Sequence, residues 1–119
     1  MNERKLLGNA GEDLIVKYLK DRKFKIVERN YFCRLGEVDI IAEKEDLLVF
    51  VEVKTRKKAY FPISTVVTPG KQRKIIATTK LFISKNDIYD KVCRFDVATV
   101  ILDDGKHEIE YIEDAFWDR

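Results

Sequence analysis

Cysteine and histidine are almost absent from this 119-residue chain, which has two cysteines, Cys33 and Cys93, in no CxxC spacing, and a single histidine, His107. No ligand set for structural or catalytic zinc can be drawn from them, and reduced thiols are expected. Long apolar runs are also missing. The charged start Met1-Asn2-Glu3-Arg4-Lys5 leads into no signal-peptide core, and nothing is long enough to span a bilayer, so a cytoplasmic location is expected. Linkers, repeats and low-complexity tracts are lacking too, and 45% hydrophobic content over this length suits one domain covering residues 1–119. The most telling absence is of acid. From Val53 to Asn86 there is no Asp or Glu, while nine Lys and Arg fall there; the other residues carry 14 Lys and Arg against all 21 acids, so a net charge of +2 conceals a basic middle between acidic flanks.

What is present centres on Glu52-Val53-Lys54, an acid and a base two residues apart in the apolar run Leu47-Leu48-Val49-Phe50-Val51-Glu52-Val53. Side chains alternate along a strand, so Glu52 and Lys54 share a face. Burying either charge costs several kcal/mol, about, unless a partner, metal or substrate offsets it. The preceding stretch Gly36-Glu37-Val38-Asp39-Ile40-Ile41-Ala42 is also β-branched and apolar apart from its acids, and Glu43-Lys44-Glu45-Asp46 breaks the pattern as a turn. With Glu45 and Asp46 as a two-residue loop, Lys44 faces Leu47 and Asp39 falls opposite Glu52. Opposed residues have Cβ atoms roughly 4.5–5.5 Å apart. Two carboxylates that close repel unless a cation lies between them, which favours hard, oxygen-ligated Mg²⁺ or Mn²⁺. The competing reading is a same-face ion pair on an edge strand, and a one-residue slip would part Asp39 from Glu52 by face.

The coarse element order is α-β-β-β-α-β-β, an α/β protein with a central mixed sheet flanked by helices. Residues Glu3 to Lys20 predict an amphipathic helix with Leu7, Ala10, Leu14 and Tyr18 on one stripe and Ile15 and Leu19 at its border. Glu12 lies on the margin of that face, and Gly8 and Gly11 beside it point to a close approach by another backbone or a ligand. Phe24 to Asn30 reads as the first strand, with Tyr31 to Leu35 leading into the hairpin. Arg56 to Val67 is expected as a loop crossing the site. Thr68-Pro69 predicts a helix N-cap and first position, with Lys71 and Gln72 in the first turn of a helix running to about Lys85. Val92 to Leu102 and Lys106 to Ile112 predict an antiparallel pair around Asp103-Asp104-Gly105, and Glu113 to Arg119 a short helix or docked tail. Lys54-Thr55-Arg56-Lys57-Lys58-Ala59-Tyr60-Phe61 sets cations and aromatics beside the acids, a composition suited to phosphates and unstacked bases.

These residues resemble the PD-(D/E)xK nuclease superfamily, with its restriction-endonuclease-like fold: Glu12 on a first helix, Asp39 on one strand, Glu52-Val53-Lys54 on the next, Lys71-Gln72 opening a second helix. Within it the helix glutamate is most similar to archaeal Holliday junction resolvases. Gly8-Asn9-Ala10-Gly11-Glu12, Gly36 to Ala42, Val49 to Arg56 and Arg94-Phe95-Asp96-Val97 together resemble the bacterial YraN-like family along nearly the whole chain. Val38 stands where the superfamily label has proline, and Ile15 where the YraN-like helix usually has alanine. The resemblance implies metal-dependent phosphodiester hydrolysis in structured or branched DNA. Asp39, Glu52, the Val53 carbonyl and Glu12 would hold Mg²⁺ or Mn²⁺, Lys54 would stabilise developing charge, and Gln72 and Lys71 would meet the scissile phosphate. Arg56, Lys57, Lys58, Arg73 and Lys74 would track the backbone, with DNA favoured over RNA and a homodimer left open. The alternative is a non-catalytic nucleic-acid-binding module of the same fold, acting in DNA repair or RNA processing.

Overall fold

The computed structural model describes residues 3–57 and 67–118. Lys58, and the Tyr60 and Phe61 aromatics expected beside it, lie outside them. Five strands form one mixed sheet in the order β1-β2-β3-β4-β5, from β1 (Lys25–Cys33), β2 (Gly36–Lys44), β3 (Leu47–Arg56), β4 (Val92–Asp103) and β5 (Lys106–Phe116). Helix α1 (Glu3–Asp21) precedes them, and α2 (Pro69–Lys85) connects β3 to its parallel neighbour β4. The element order matches the one predicted. Among the described residues no helix is long and apolar enough to cross a membrane.

Register follows local turn chemistry. Lys44 pairs with Leu47 and Ile40 with Val51, so the two-residue loop Glu45-Asp46 fixes the β2–β3 hairpin as expected, with Glu45 at φ 55°. Asp104 and Gly105 both take positive φ between Asp103 and Lys106, the backbone that a tight hairpin requires. Thr68 caps α2 by accepting a hydrogen bond from the Lys71 N–H (3.3 Å), and Pro69 occupies the first turn, where no N–H is needed.

Alternation on β3 splits the core. Leu48 and Phe50 pack under α2 with Ile75 and Phe82, while Val49, Val51 and Val53 pack under α1 with Ile15 and Leu19. Glu52 and Lys54 therefore issue from the α2 face. The buried stripe of α1 is Gly11, Ile15 and Leu19, one position round from the expected Ala10-Leu14-Tyr18 line, and Ala10 is exposed. The rotation has a steric origin: a Cβ on Gly11 would collide with Thr55 Oγ1 and stand 2.9 Å from the Thr55 Cβ, so the glycine lets α1 settle against β3. Gly8 has open space around its Cα, and the close approach expected there is absent among the described residues.

Two expected boundaries shift. β1 runs on to Cys33, with Tyr31 packed edge-on against Phe82. The segment expected as a C-terminal helix or tail is instead a continuation of β5 to Phe116, past a register shift between Phe95 and Val97. Phe116 stacks on Phe95 at 5.1 Å, and burial of that ring holds the strand in place.

Candidate active site

The β2–β3 ladder stops at Ile40 and Val51, and beyond it the Asp39 side chain replaces the backbone partner: Val53 N–H donates to Asp39 Oδ2 at 2.8 Å. Asp39 and Glu52 thus stand together where the two strands part. Glu52 is 5% exposed, and its Oε2 accepts no hydrogen bond. Its Oε1 lies 2.6 Å from Lys71 Nζ and 3.6 Å from Lys54 Nζ. An open cleft of about 560 Å³ gathers Glu12, Asp39, Glu52, Lys54, Lys71 and Glu37 on its walls, and Arg56 and Lys57 border it.

Burial and then the charge of Glu52 push the Asp39 carboxyl up to about 7, against a smaller opposing pull from the Val53 N–H. Burial draws the Lys54 ammonium down, and the neighbouring Lys71 cation reinforces it against the attraction of Glu52. Burial acts downward on Lys71 as well, but its hydrogen bond and ion pair with Glu52 prevail and leave it raised. Burial raises Glu12, opposed by Arg29. That carboxylate faces Arg29 at 3.6 Å, and its Oε1 is buried without a hydrogen bond.

The expected residues therefore divide. Glu12, Asp39, Glu52, Val53, Lys54, Arg56, Lys57 and Lys71 line one cleft. Gln72 does not join them: its side-chain amide donates to Val67 O at 3.1 Å, stitching α2 to the residue before its cap. Arg73 and Lys74 are exposed on α2, outside the cleft. Lys71, expected on a phosphate, is the nearest cation to Glu52, a long-range contact that no local pattern encodes.

Among the described residues, no three His, Cys, Asp or Glu side chains stand close enough to form a metal cluster of their own. Magnesium does not need one, since it is commonly held by one or two carboxylates, with water and substrate phosphate completing its shell. Asp39 and Glu52 fit that pattern. Their mutual repulsion and the unpartnered Glu52 Oε2 are the features a hard cation would relieve. Glu12 is drawn toward Arg29, at the edge of the set.

Fold and cleft together define a mixed α/β protein with paired acids and lysines at the split end of a β-hairpin. The chain belongs to the family described as uncharacterised protein family UPF0102, whose profile matches residues 11–100. A UPF0102 protein of Geotalea uraniireducens is 47% identical over 116 residues, covering 96% of this chain and 91% of that protein. Those of Clostridium botulinum and Syntrophomonas wolfei are 42% and 39% identical, each over 92% of this chain and 93% and 96% of their own lengths. The YraN-like resemblance holds at the level of this family.

Proposed function

We propose that this chain is a Mg²⁺- or Mn²⁺-dependent nuclease that hydrolyses phosphodiester bonds in structured or branched DNA, on the restriction-endonuclease-like fold of the PD-(D/E)xK superfamily. The observation that carries this reading is the convergence of Asp39 and Glu52, the first pushed up by burial and then by the charge of the second, with Lys54 and Lys71 in one open cleft. Perturbed groups gathered in a cleft are where catalysis is sought first.

Asp39 and Glu52 would hold the cation, with the Val53 carbonyl and Glu12 as further oxygens. When bound, such a cation polarises a phosphate oxygen and lowers the pKa of water. Asp39 is positioned by the Val53 N–H, which fixes its carboxylate with no reorganisation during the reaction. Lys54, three-quarters buried and with its ammonium destabilised, is suited to exchanging a proton with the attacking water or to opposing charge on the phosphate. Lys71 is a second cation for the phosphate once that anion competes with Glu52. Arg56 and Lys57 at the rim, and Arg73 and Lys74 on α2, would contact the backbone, which supplies affinity without reading sequence.

One observation favours the second reading, a nucleic-acid-binding module without turnover in DNA repair or RNA processing. Glu52 already has Lys71 at 2.6 Å, an ion pair that ties α2 to β3 with no need of a cation. The two separate in one experiment. Branched, flapped and single-stranded DNA, and matched RNA, are incubated with Mg²⁺ or Mn²⁺ beside wild type and Glu52→Gln. The nuclease reading expects nicking by wild type and a loss of about a hundredfold or more in the variant. Binding without nicking on every substrate leaves the module.

A further inference from the structure

A second groove, of about 630 Å³, opens between the β1–β2 turn and the start of α2, beside the acid cleft. Phe32, contributed by β1, and Lys74 and Ile75, contributed by α2, are among the residues that line it. Glu37 and Lys71 line both this groove and the cleft, so the two adjoin. Phe32 is 76% exposed, whereas its neighbour Tyr31 turns inward onto Phe82. An aromatic ring left that far in water loses the burial that normally justifies it.

The two sides of the groove approach closely where they meet. Gly36 approaches α2 so closely that an added Cβ would lie 2.9 Å from Thr78 Oγ1 and 3.2 Å from the Lys74 carbonyl oxygen. Cys33 Sγ lies 3.9 Å from the same Thr78 hydroxyl and accepts from the Leu35 N–H. The end of β1 that carries Phe32 and the start of β2 thereby lie directly against the helix turn carrying Lys74. No acid lies in the first turn of α2, so among the described residues the charged groups that line the groove are Lys71 and Lys74 from the helix and Glu37 from β2.

We propose that Phe32 and Lys74 form a subsite for one unpaired nucleotide adjoining the phosphodiester in the cleft, the base stacking on Phe32 and its phosphate meeting Lys74. This rests on the nucleic-acid reading of the cleft and narrows its substrate to single strands and duplex–single-strand junctions. A base paired within a duplex keeps both faces covered by its neighbours and offers none to Phe32. A splayed base does, and stacking of this kind tolerates any base because each has a π-face. Phe32 lies on the surface, so its replacement should leave the fold intact.

The test uses three oligonucleotides, a single strand, a fork and a blunt duplex, with 2-aminopurine at the unpaired position of the first two, bound in Ca²⁺ to wild type, Phe32→Ala and Phe32→Tyr. Phe32→Ala should weaken the single strand and fork by about five- to 150-fold, the range of one base–aromatic stack, and abolish the quenching of 2-aminopurine. The duplex should change by less than about twofold, and Phe32→Tyr should restore both signals. Equal loss on all three probes, or none on any, overturns the subsite, as does a change in sedimentation without a change in binding, which would make Phe32 a self-association contact. If wild type nicks DNA and Phe32→Ala is unaltered, the subsite alone falls. If wild type binds none of the probes, the subsite and the nucleic-acid reading fall together.

Discussion

Strands β3 and β4 lie side by side, and each carries an acid and a base two residues apart: Glu52 with Lys54, and Arg94 with Asp96. The spacing is the same, but the surroundings are opposite. Asp96 is fully buried and saturated: Arg94 donates to both its oxygens at 2.9 Å, Tyr111 Oη donates at 2.5 Å and the Asp114 N–H at 2.9 Å. Burial and then the Asp96 charge hold the Tyr111 hydroxyl well above the usual phenol range, which keeps it a donor. The Glu52 end has one unpartnered oxygen, an acid beside it pushed up to about 7, and an open cleft. A buried carboxylate whose acceptors are filled serves the fold. One left short of partners beside a second acid is the arrangement that the proposed cation site requires.

The largest expected effect breaks the saturated end. Asp96→Ala removes an acceptor from Arg94, Tyr111 and the Asp114 N–H at once, and breaking a buried pair from one side costs about 3–5 kcal/mol. Urea denaturation measures it. Glu52→Gln should cost less than about 1 kcal/mol, because Lys71, at 35% exposure, can turn to water when its partner is neutralised. Equal losses at the two positions would make the Glu52 end structural, like its neighbour.

A smaller effect sharpens the contrast through pH. The folded-state pKa of Asp39, about 7, lies above the unfolded carboxylate value, so between roughly pH 4 and pH 7 the native state holds a proton that the unfolded chain has released. Stability from this group is therefore present at low pH and lost as pH rises through about 7. Its size is about 2–4 kcal/mol at most, to be discounted for solvent at the cleft mouth. Asp39→Asn keeps an oxygen for the Val53 N–H and removes the titration, so its metal-free stability at pH 8 should equal or exceed wild type and the fall between pH 4 and pH 7 should flatten. An unchanged slope would place the titration on another group.

Which parts of this were legible in the sequence follows from range. The polar break at Glu45-Asp46 sets the hairpin register, and period-two alternation then puts Glu52 and Lys54 on one face, so both could be read locally. Thr68-Pro69 announces its helix start for the same reason. The Asp96 network could not be read, since Arg94-Phe95-Asp96 has the same spacing as the cleft pair and is completed by Tyr111 and Asp114 of β5, the first in regular pairing with β4 and the second within the shift of register. That shift also prolongs β5 where a helix or tail is expected. Lys71 on Glu52 and Phe32 beside Lys74 each depend on how α2 sits on the sheet, which no period in the chain specifies, and Gln72 is taken by the Val67 carbonyl one residue before its own helix cap.

The smallest effect concerns how α1 delivers Glu12 to the open end. Gly8 and Gly11 both lie inside the helix, where glycine is less favourable than alanine by up to about 1 kcal/mol, so propensity alone predicts that both Gly→Ala changes stabilise. At Gly8 nothing opposes the gain, and Gly8→Ala should stabilise by about 0.5–1 kcal/mol. At Gly11 the new Cβ meets the Thr55 side chain, and overpacking a tight contact costs about 1–3 kcal/mol, which outweighs propensity and leaves a net loss of about 1–2 kcal/mol. Because the collision is with Thr55 and Glu12 follows directly on the helix, Gly11→Ala should also lift Glu12 away from the cleft while leaving the Asp96 end untouched. Adding Thr55→Ala removes the oxygen and the methyl but keeps the Cβ, 2.9 Å from the new one, so the double variant should regain part of the loss and not all of it. Thermal denaturation of the three variants reads the sign directly, and a Gly11→Ala protein as stable as Gly8→Ala would mean that α1 does not press on β3 at Thr55.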